Sequence, residues 1–209
     1  GYERRLGDWK NAAQECIVTG HDAEVRDGLA KVCFDLEMSV GAACRLEYAV
    51  NGKGELQVRM DYRPLKDGLQ LIPKVGMRMR IPSEYSQVSW YGRGPHENYP
   101  DRKSGYFIGQ YSMPLDEFIF DYASPQDNAN RCDTRWFSLG NGSRDIEIHG
   151  LQELNFRAWP YGEEDLEGSA HPFDIPARDF INVNIDFKIH GVGGNDGWGA
   201  RTMDAYTID

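Results

Sequence analysis

The loops of this sequence hold many carboxylates, but no two of them form a recognisable catalytic pair. A glycosidase usually needs two carboxyl groups that flank the bond to be cleaved. The loop candidates are Glu97, Asp101, Asp127, Asp133 and Asp196. A solvated or turn-capping role is the favoured interpretation for each of them. The five histidines have no metal-ligand spacing, and no serine lies in a G-x-S-x-G elbow. The sequence therefore predicts no catalytic residue and no metal site in this chain.

The stretch "GVGGNDGWG" at 191–199 is the most open loop of the sequence. It fails as a phosphate-binding turn, because Asp196 occupies the place of the last fingerprint glycine and no helix pattern follows. Two interpretations of Trp198 stay open at this point. Its indole could plug the end of a β core, or it could be a platform on which the apolar face of a sugar stacks. In the second case Asn195 and Asp196 would accept hydrogen bonds from sugar hydroxyls, and all three residues would bind substrate.

Two further segments, 93–111 and 121–141, combine proline turns with acids, amides and arginines. Arginine and aspartate in a fixed loop commonly lock that loop through bidentate hydrogen bonds. The sequence predicts one polar network of Asn98, Asp101 and Arg102, and another of Asn130, Arg131, Asp133 and Arg135. We expect these side chains to hold loops in place rather than to contact a ligand.

The elements that must position these loops are strands, because apolar and polar residues mostly alternate with a period of two. The predicted strands are 29–40, 43–50, 55–64, 74–82, 86–92, 144–150, 154–161, 180–192 and 203–209. "NGKG" at 51–54 is a strong hairpin turn. Only "GDWKNAA" and "SMPLDEFI" suggest short helices, and 92–136 is predicted to be a long loop segment poor in strands. The pattern predicts an antiparallel sandwich or barrel and a single domain over 1–209.

Composition excludes several classes of partner. The chain has 209 residues, a formal net charge of −10 and scattered basic residues, which argues against nucleic acid and against an anionic membrane surface. No apolar run approaches the ~20 residues of a membrane helix. The four cysteines contain no C-x-x-C pair, which favours reduced and mostly buried thiols over a zinc site or a disulfide scaffold.

Three motifs carry a resemblance to a known family. "WYGRGPHENYPDRKSG" at 90–105, "SPQDNANRCDTRW" at 124–136 and "NVNIDFKIHGVGGNDGWG" at 182–199 resemble blocks of the C-terminal domain of family 2 bacterial β-galactosidases, the β-galactosidase small chain. The resemblance runs from about Trp9 to the end. This sequence departs from the family at Ala129, where glycine is usual, and at Gly197, where serine is frequent.

The resemblance implies an all-β antiparallel supersandwich similar to galactose mutarotase. It implies hydrolysis of terminal β-D-galactosides by a larger enzyme, whose catalytic glutamates lie on an upstream TIM-barrel domain outside this chain. Trp198 matches the loop tryptophan that stacks on the sugar. The resemblance also implies Mg²⁺ for the full-length enzyme, no cofactor in this domain, a family domain that begins upstream of Gly1, and an isolated chain without activity.

Two alternatives belong to other classes. One is a free-standing mutarotase-like epimerase or carbohydrate-binding module that uses histidine and glutamate for proton transfer. The other is a structural domain that stabilises a homo-oligomer. An upstream barrel with two catalytic glutamates in the same gene would favour the β-galactosidase interpretation over both.

Overall fold

A computed structural model describes residues 5–194 and 199–208. The chain divides into two compact units, one formed by the residues up to Ile72 and the other by Pro73–Ile208. Each unit is built on one antiparallel sheet, of four strands in the first and six in the second. The predicted all-β antiparallel fold is confirmed, whereas the assignment of 1–209 to one domain stays a prediction. No helix among the described residues is long and apolar enough to span a membrane.

The first unit is a meander whose strands pair in chain order. The strands are β1 (Ile17–Arg26), β2 (Leu29–Met38), β3 (Ala42–Asn51) and β4 (Leu56–Pro64). Asp27 and Gly28 both have positive φ between β1 and β2, as a two-residue hairpin loop requires. At the predicted "NGKG" turn, the Asn51 side chain accepts hydrogen bonds from the backbone N–H groups of Lys53 and Glu55. These local bonds fix the hairpin.

The second unit contains β5–β10, which lie in the order β5-β10-β9-β8-β6-β7. The strands are β5 (Lys74–Pro82), β6 (Gln87–Gly94), β7 (Phe107–Pro114), β8 (Arg131–Gly140), β9 (Asp145–Trp159) and β10 (Phe180–Ile189). Two short helices, α1 (Leu115–Phe118) and α2 (Glu163–Gly168), follow β7 and β9. Non-sequential neighbours in this sheet bring loops from distant parts of the chain to the same place.

The core of the second unit is aromatic. Trp90 on β6, Phe137 on β8 and Phe156 on β9 are completely buried. The rings of Phe137 and Phe156 stack with centroids 4.1 Å apart, and Phe118 of α1 packs edge-on against Trp90. Trp90, Phe137 and Phe156 point inward from their strands, so the period-two alternation of side chains places these three rings together.

Several predicted boundaries are wrong. The segment 92–136 holds the whole of β7 and the start of β8, and 203–209 forms a 3-10 turn at Asp204–Tyr206 instead of a strand. The segments 144–150 and 154–161 fall within one strand, β9, apart from their end residues. The helix expected near the start is a single 3-10 turn at Gly7–Trp9. The expectation of unpaired thiols is confirmed, since all four cysteines are free and three are buried.

Candidate functional site

The glycine-rich loop begins where β10 ends. Within this loop Gly193, Gly194 and Gly199 all have φ between 75° and 81°, a conformation that residues with a Cβ rarely adopt. Asn195, Asp196 and Trp198, the predicted substrate-binding residues, lie outside the described residues. The structure therefore describes how the two ends of the loop are held, and hydrogen bonds fix both of those ends.

Four hydrogen bonds fix the base of this loop. The His190 N–H donates to the Pro73 carbonyl at 2.8 Å, and the Gly191 N–H donates to the Tyr206 carbonyl at 2.8 Å. The Thr202 hydroxyl donates to the Gly191 carbonyl at 3.2 Å. The Gly193 N–H donates to Asp101 Oδ2 at 2.7 Å. The incoming and outgoing chain are thus tied to each other and to a third segment of the second unit.

That third segment is a tight turn around Asp101. The Arg102 N–H donates to the Tyr99 carbonyl at 2.9 Å, which closes the turn. The Tyr99 ring is completely buried and its hydroxyl donates to Asp127 Oδ1. Arg102 lies over the same ring at 4.7 Å and pairs with Glu97 at 2.8 Å. Asp101 therefore projects from a backbone that its neighbours hold on both sides.

Asn98 contacts a different partner from Asp101 and Arg102. Its N–H donates to the Asn130 carbonyl at 2.8 Å, and the Asn130 side chain donates back to the Asn98 carbonyl at 2.8 Å. The Cys132 N–H donates to Asn98 Oδ1 at 2.8 Å. All three residues are buried. The structure thus joins the 95–102 and 127–133 segments through Asn98, and does not gather Asn98, Asp101 and Arg102 into one network.

Arg131 is buried without a carboxylate partner in the described part of the chain, contrary to the expected arginine–aspartate locking. Its guanidinium donates to the backbone carbonyls of Pro95 and Ala129 at 3.0 Å and of Phe118 at 3.3 Å. It also lies over the rings of Phe118 and Trp90, at 4.1 and 5.1 Å. Burial lowers the pKa of Arg131 to about 10, so the side chain stays cationic at neutral pH.

Asp133 and Arg135 lie apart from Arg131. Asp133 accepts from Lys103 at 2.6 Å and from Arg93. Burial would raise the pKa of Asp133, but these two hydrogen bonds hold it below the usual value. Arg135 donates to the Asp133 carbonyl and pairs with Glu153. The predicted set around Asn130 is therefore divided into separate contacts, and its role as a loop scaffold stays a prediction.

A deeply buried cluster of polar and charged side chains on β9 and β10 was not predicted from the sequence. Asn182, Asn184 and Asp186 project from one face of β10, and Arg157 lies opposite Asn184 on β9. All four are at most 1% exposed. Arg157 Nη1 is 3.3 Å from Asp127 Oδ2, which links this cluster to Tyr99 and so to the turn that carries Asp101. A signal available in the sequence was an arginine between the apolar residues Phe156 and Ala158.

These contacts leave the candidate acids little chemical freedom. Both oxygens of Glu97 are engaged, one by Arg102 and Tyr122 and the other by the Ala129 N–H at 2.7 Å. Asp127 accepts a hydrogen bond from the Tyr99 hydroxyl and pairs with Arg157, while Asp196 lies outside the described residues. No group of three or more metal-ligating side chains is present in 5–194 and 199–208. What the described geometry does offer is a hydrogen-bonded base for the glycine-rich loop, at 190–193 and at Thr202.

Known proteins of one family match this chain over almost its whole length. A family model described as "Beta galactosidase small chain" matches residues 2–209. The chain is 34% identical over 206 residues to a β-galactosidase of Priestia megaterium, covering 98% of this chain and 20% of that protein. It is 30% identical to β-galactosidases of Halalkalibacterium halodurans and Lactobacillus delbrueckii subsp. bulgaricus, covering 97% and 100% of this chain and 20% and 21% of those proteins. The chain thus spans about a fifth of the length of these relatives.

Proposed function

Because this chain belongs to the β-galactosidase small chain family, we propose that it is the C-terminal domain of a β-galactosidase that hydrolyses terminal β-D-galactosides. The observation that carries the proposal is the family match over 2–209, together with relatives that are β-galactosidases about five times as long. In this proposal the acid and the nucleophile lie on a TIM-barrel domain upstream in the same polypeptide.

We further propose that this domain delivers Trp198 to that active site. The support is the construction of the loop around it. Glycines with positive φ let the backbone turn closely, and hydrogen bonds at Gly191 and Gly193 anchor one side of the loop. A rigid base reduces the entropy that must be lost when the loop meets a sugar. An indole presented in this way would stack on the apolar face of the galactose.

The resemblance also implies Mg²⁺ in the full-length enzyme. The described residues contain no cluster of three or more His, Cys, Asp or Glu side chains that could hold the ion. We therefore assign no residue of this chain to Mg²⁺ and derive no step through it.

In the full-length enzyme, we expect Trp198→Ala to lower kcat/KM by roughly tenfold to a few hundredfold. The sugar loses a stacking surface, and apolar contact at ~25 cal/mol per Å² limits the loss to a few kcal/mol. Trp198→Phe and Trp198→Tyr should recover part of the activity, since a smaller ring keeps part of the surface. Steady-state kinetics with a chromogenic galactoside measure the effect, and the purified 209-residue chain is expected to show no turnover.

Phe173→Ala is the matched control, because this aromatic ring is 83% exposed. Its kinetics should equal those of the unmodified enzyme. The alternative, in which Trp198 plugs a core, gives the opposite result for Trp198→Ala. Stability would then fall by several kcal/mol, and the enzyme that remained folded would have unchanged kinetics.

A further inference from the structure

We propose that Asp101 is a positioning residue for the sugar-stacking loop, so that its carboxylate sets where Trp198 meets the substrate. The inference rests on the proposed function of Trp198. Its first support is the 2.7 Å hydrogen bond from the Gly193 N–H to Asp101 Oδ2, which joins residues 92 positions apart in the sequence. A hydrogen bond to a charged acceptor is among the stronger ones in proteins, so it restrains the loop more than a neutral contact would.

The second support is that the chain makes room for this carboxylate. A Cβ on Gly191 would lie 2.8 Å from both Cγ and Oδ2 of Asp101, and 2.9 Å from Thr202 Cγ2. Such distances are shorter than van der Waals contact, so any larger residue at position 191 would displace the side chain of Asp101 or of Thr202. Gly191 is therefore required for close approach and not for a positive φ.

The third support is that Asp101 does more than satisfy its own turn. Its Oδ1 is buried and has no hydrogen-bond partner among the described residues. A buried carboxylate oxygen without a donor costs stability. The turn is already closed by the Arg102–Tyr99 backbone bond and anchored by the buried Tyr99 ring. Among the described residues the Asp101 carboxylate accepts its hydrogen bond from the loop and not from this turn, which fits a role in positioning the loop.

The test is a double-mutant cycle in the full-length enzyme. We expect Asp101→Ala to lower kcat/KM by about fivefold to fiftyfold, because the loop is no longer held in its productive position. Asp101→Asn keeps an oxygen acceptor for the Gly193 N–H and should recover most of the activity. In a Trp198→Ala background, Asp101→Ala should have almost no further effect, since the group that it positions is gone.

Two further variants keep the test decisive if Asp101→Ala folds poorly. Asp101→Glu retains the charge but moves the carboxylate by one methylene, and should lose activity as Asp101→Ala does. Gly191→Ala should displace the carboxylate sterically and lower kcat/KM to a similar extent. Its control is Gly105→Ala, because a Cβ there meets nothing within 4 Å and its φ is not positive. Circular dichroism normalises each rate to the folded fraction.

The outcomes separate this inference from the proposed function. If Trp198→Ala leaves kinetics unchanged, the proposed function itself fails. If Trp198→Ala is impaired but the folded Asp101 variants have normal kinetics, only the positioning role is wrong. Fully additive losses in the double mutant would also overturn it, because Asp101 would then act independently of Trp198.

Discussion

Replacing Arg157 with alanine is expected to destabilise the second unit by about 3–5 kcal/mol, the range for removing one partner of a buried ion cluster. Arg157 is 1% exposed, and three carboxylates surround its guanidinium. The nearest atoms of Asp127, Asp186 and Glu163 lie at 3.3, 3.7 and 3.9 Å. Without the cation the carboxylate of Asp186, whose side chain is 2% exposed, loses its ion-pair partner in a medium that screens charge poorly, while Glu163 keeps its pairs with Lys74 and Arg78.

The loss in Arg157→Ala should grow with pH. Burial raises the pKa of Asp186 to about 6, even with Arg157 beside it. Removal of that cation raises the pKa further. A carboxyl whose pKa is higher in the folded than in the unfolded state binds more protons when folded, so the stability that it contributes falls as pH rises. We therefore expect a smaller difference between variant and parent at pH 5 than at pH 8.

Urea unfolding of the 209-residue chain at the two pH values measures this prediction. Addition of Asp186→Asn to Arg157→Ala should restore part of the stability, because a neutral amide needs no counter-charge. Arg59→Ala is the control, since Arg59 and Asp61 form an ion pair with both side chains more than half exposed, and its loss should stay within about 0.5 kcal/mol. A loss below 1 kcal/mol for Arg157→Ala, or one independent of pH, would contradict our account of this cluster.

Arg131→Ala is expected to cost a similar amount, about 3–5 kcal/mol, for a different reason. The variant loses the Arg131 guanidinium, which donates hydrogen bonds to the carbonyls of Pro95, Ala129 and Phe118. The same planar group packs against the Trp90 and Phe118 rings. The variant removes this donor from the carbonyls of the buried residues Ala129 and Phe118 and leaves a cavity beside two aromatic rings. Both defects are expensive in a close-packed interior.

Arg131→Lys should recover only part of this stability. Lysine keeps the charge, but its compact ammonium cannot present donors in a planar fork to carbonyls on three separate segments. Arg135→Ala is the matched control, because its side chain is 34% exposed and pairs with the exposed Glu153. We expect a loss of less than about 1 kcal/mol there. Thermal and urea unfolding of the three variants measure the series, and equal stability of Arg131→Lys and the parent would show that charge alone matters.

Two edge strands, β1 and β7, were not predicted from the sequence, and the reasons differ. β1 is an edge strand in which nine of ten residues are exposed, so its residues carry no regular alternation. β7 is an edge strand of the larger sheet, and its half-buried Tyr111 and Met113 do alternate with exposed neighbours and pack against the core. Its neighbours in sequence are the proline- and asparagine-rich loops, which drew the whole segment into one predicted loop. β1 buries little on either face, and periodicity is visible only where burial requires it.

Local patterns were sufficient for the all-β class, for the hairpin at 51–54 and for the family, since alternation, turn residues and long motifs are all encoded by neighbours in the sequence. Local patterns were not sufficient to predict which polar side chains pair with one another. The strand order β5-β10-β9-β8-β6-β7 decides these partners. It pairs Asn98 with Asn130 and brings the Gly193 N–H to Asp101. It also places Arg157 beside three carboxylates. This order brings together residues 30 to 92 positions apart. Spacing along the chain does not encode which of many polar side chains will meet, because that choice depends on which arrangement buries the aromatic core while leaving the fewest polar groups unpaired.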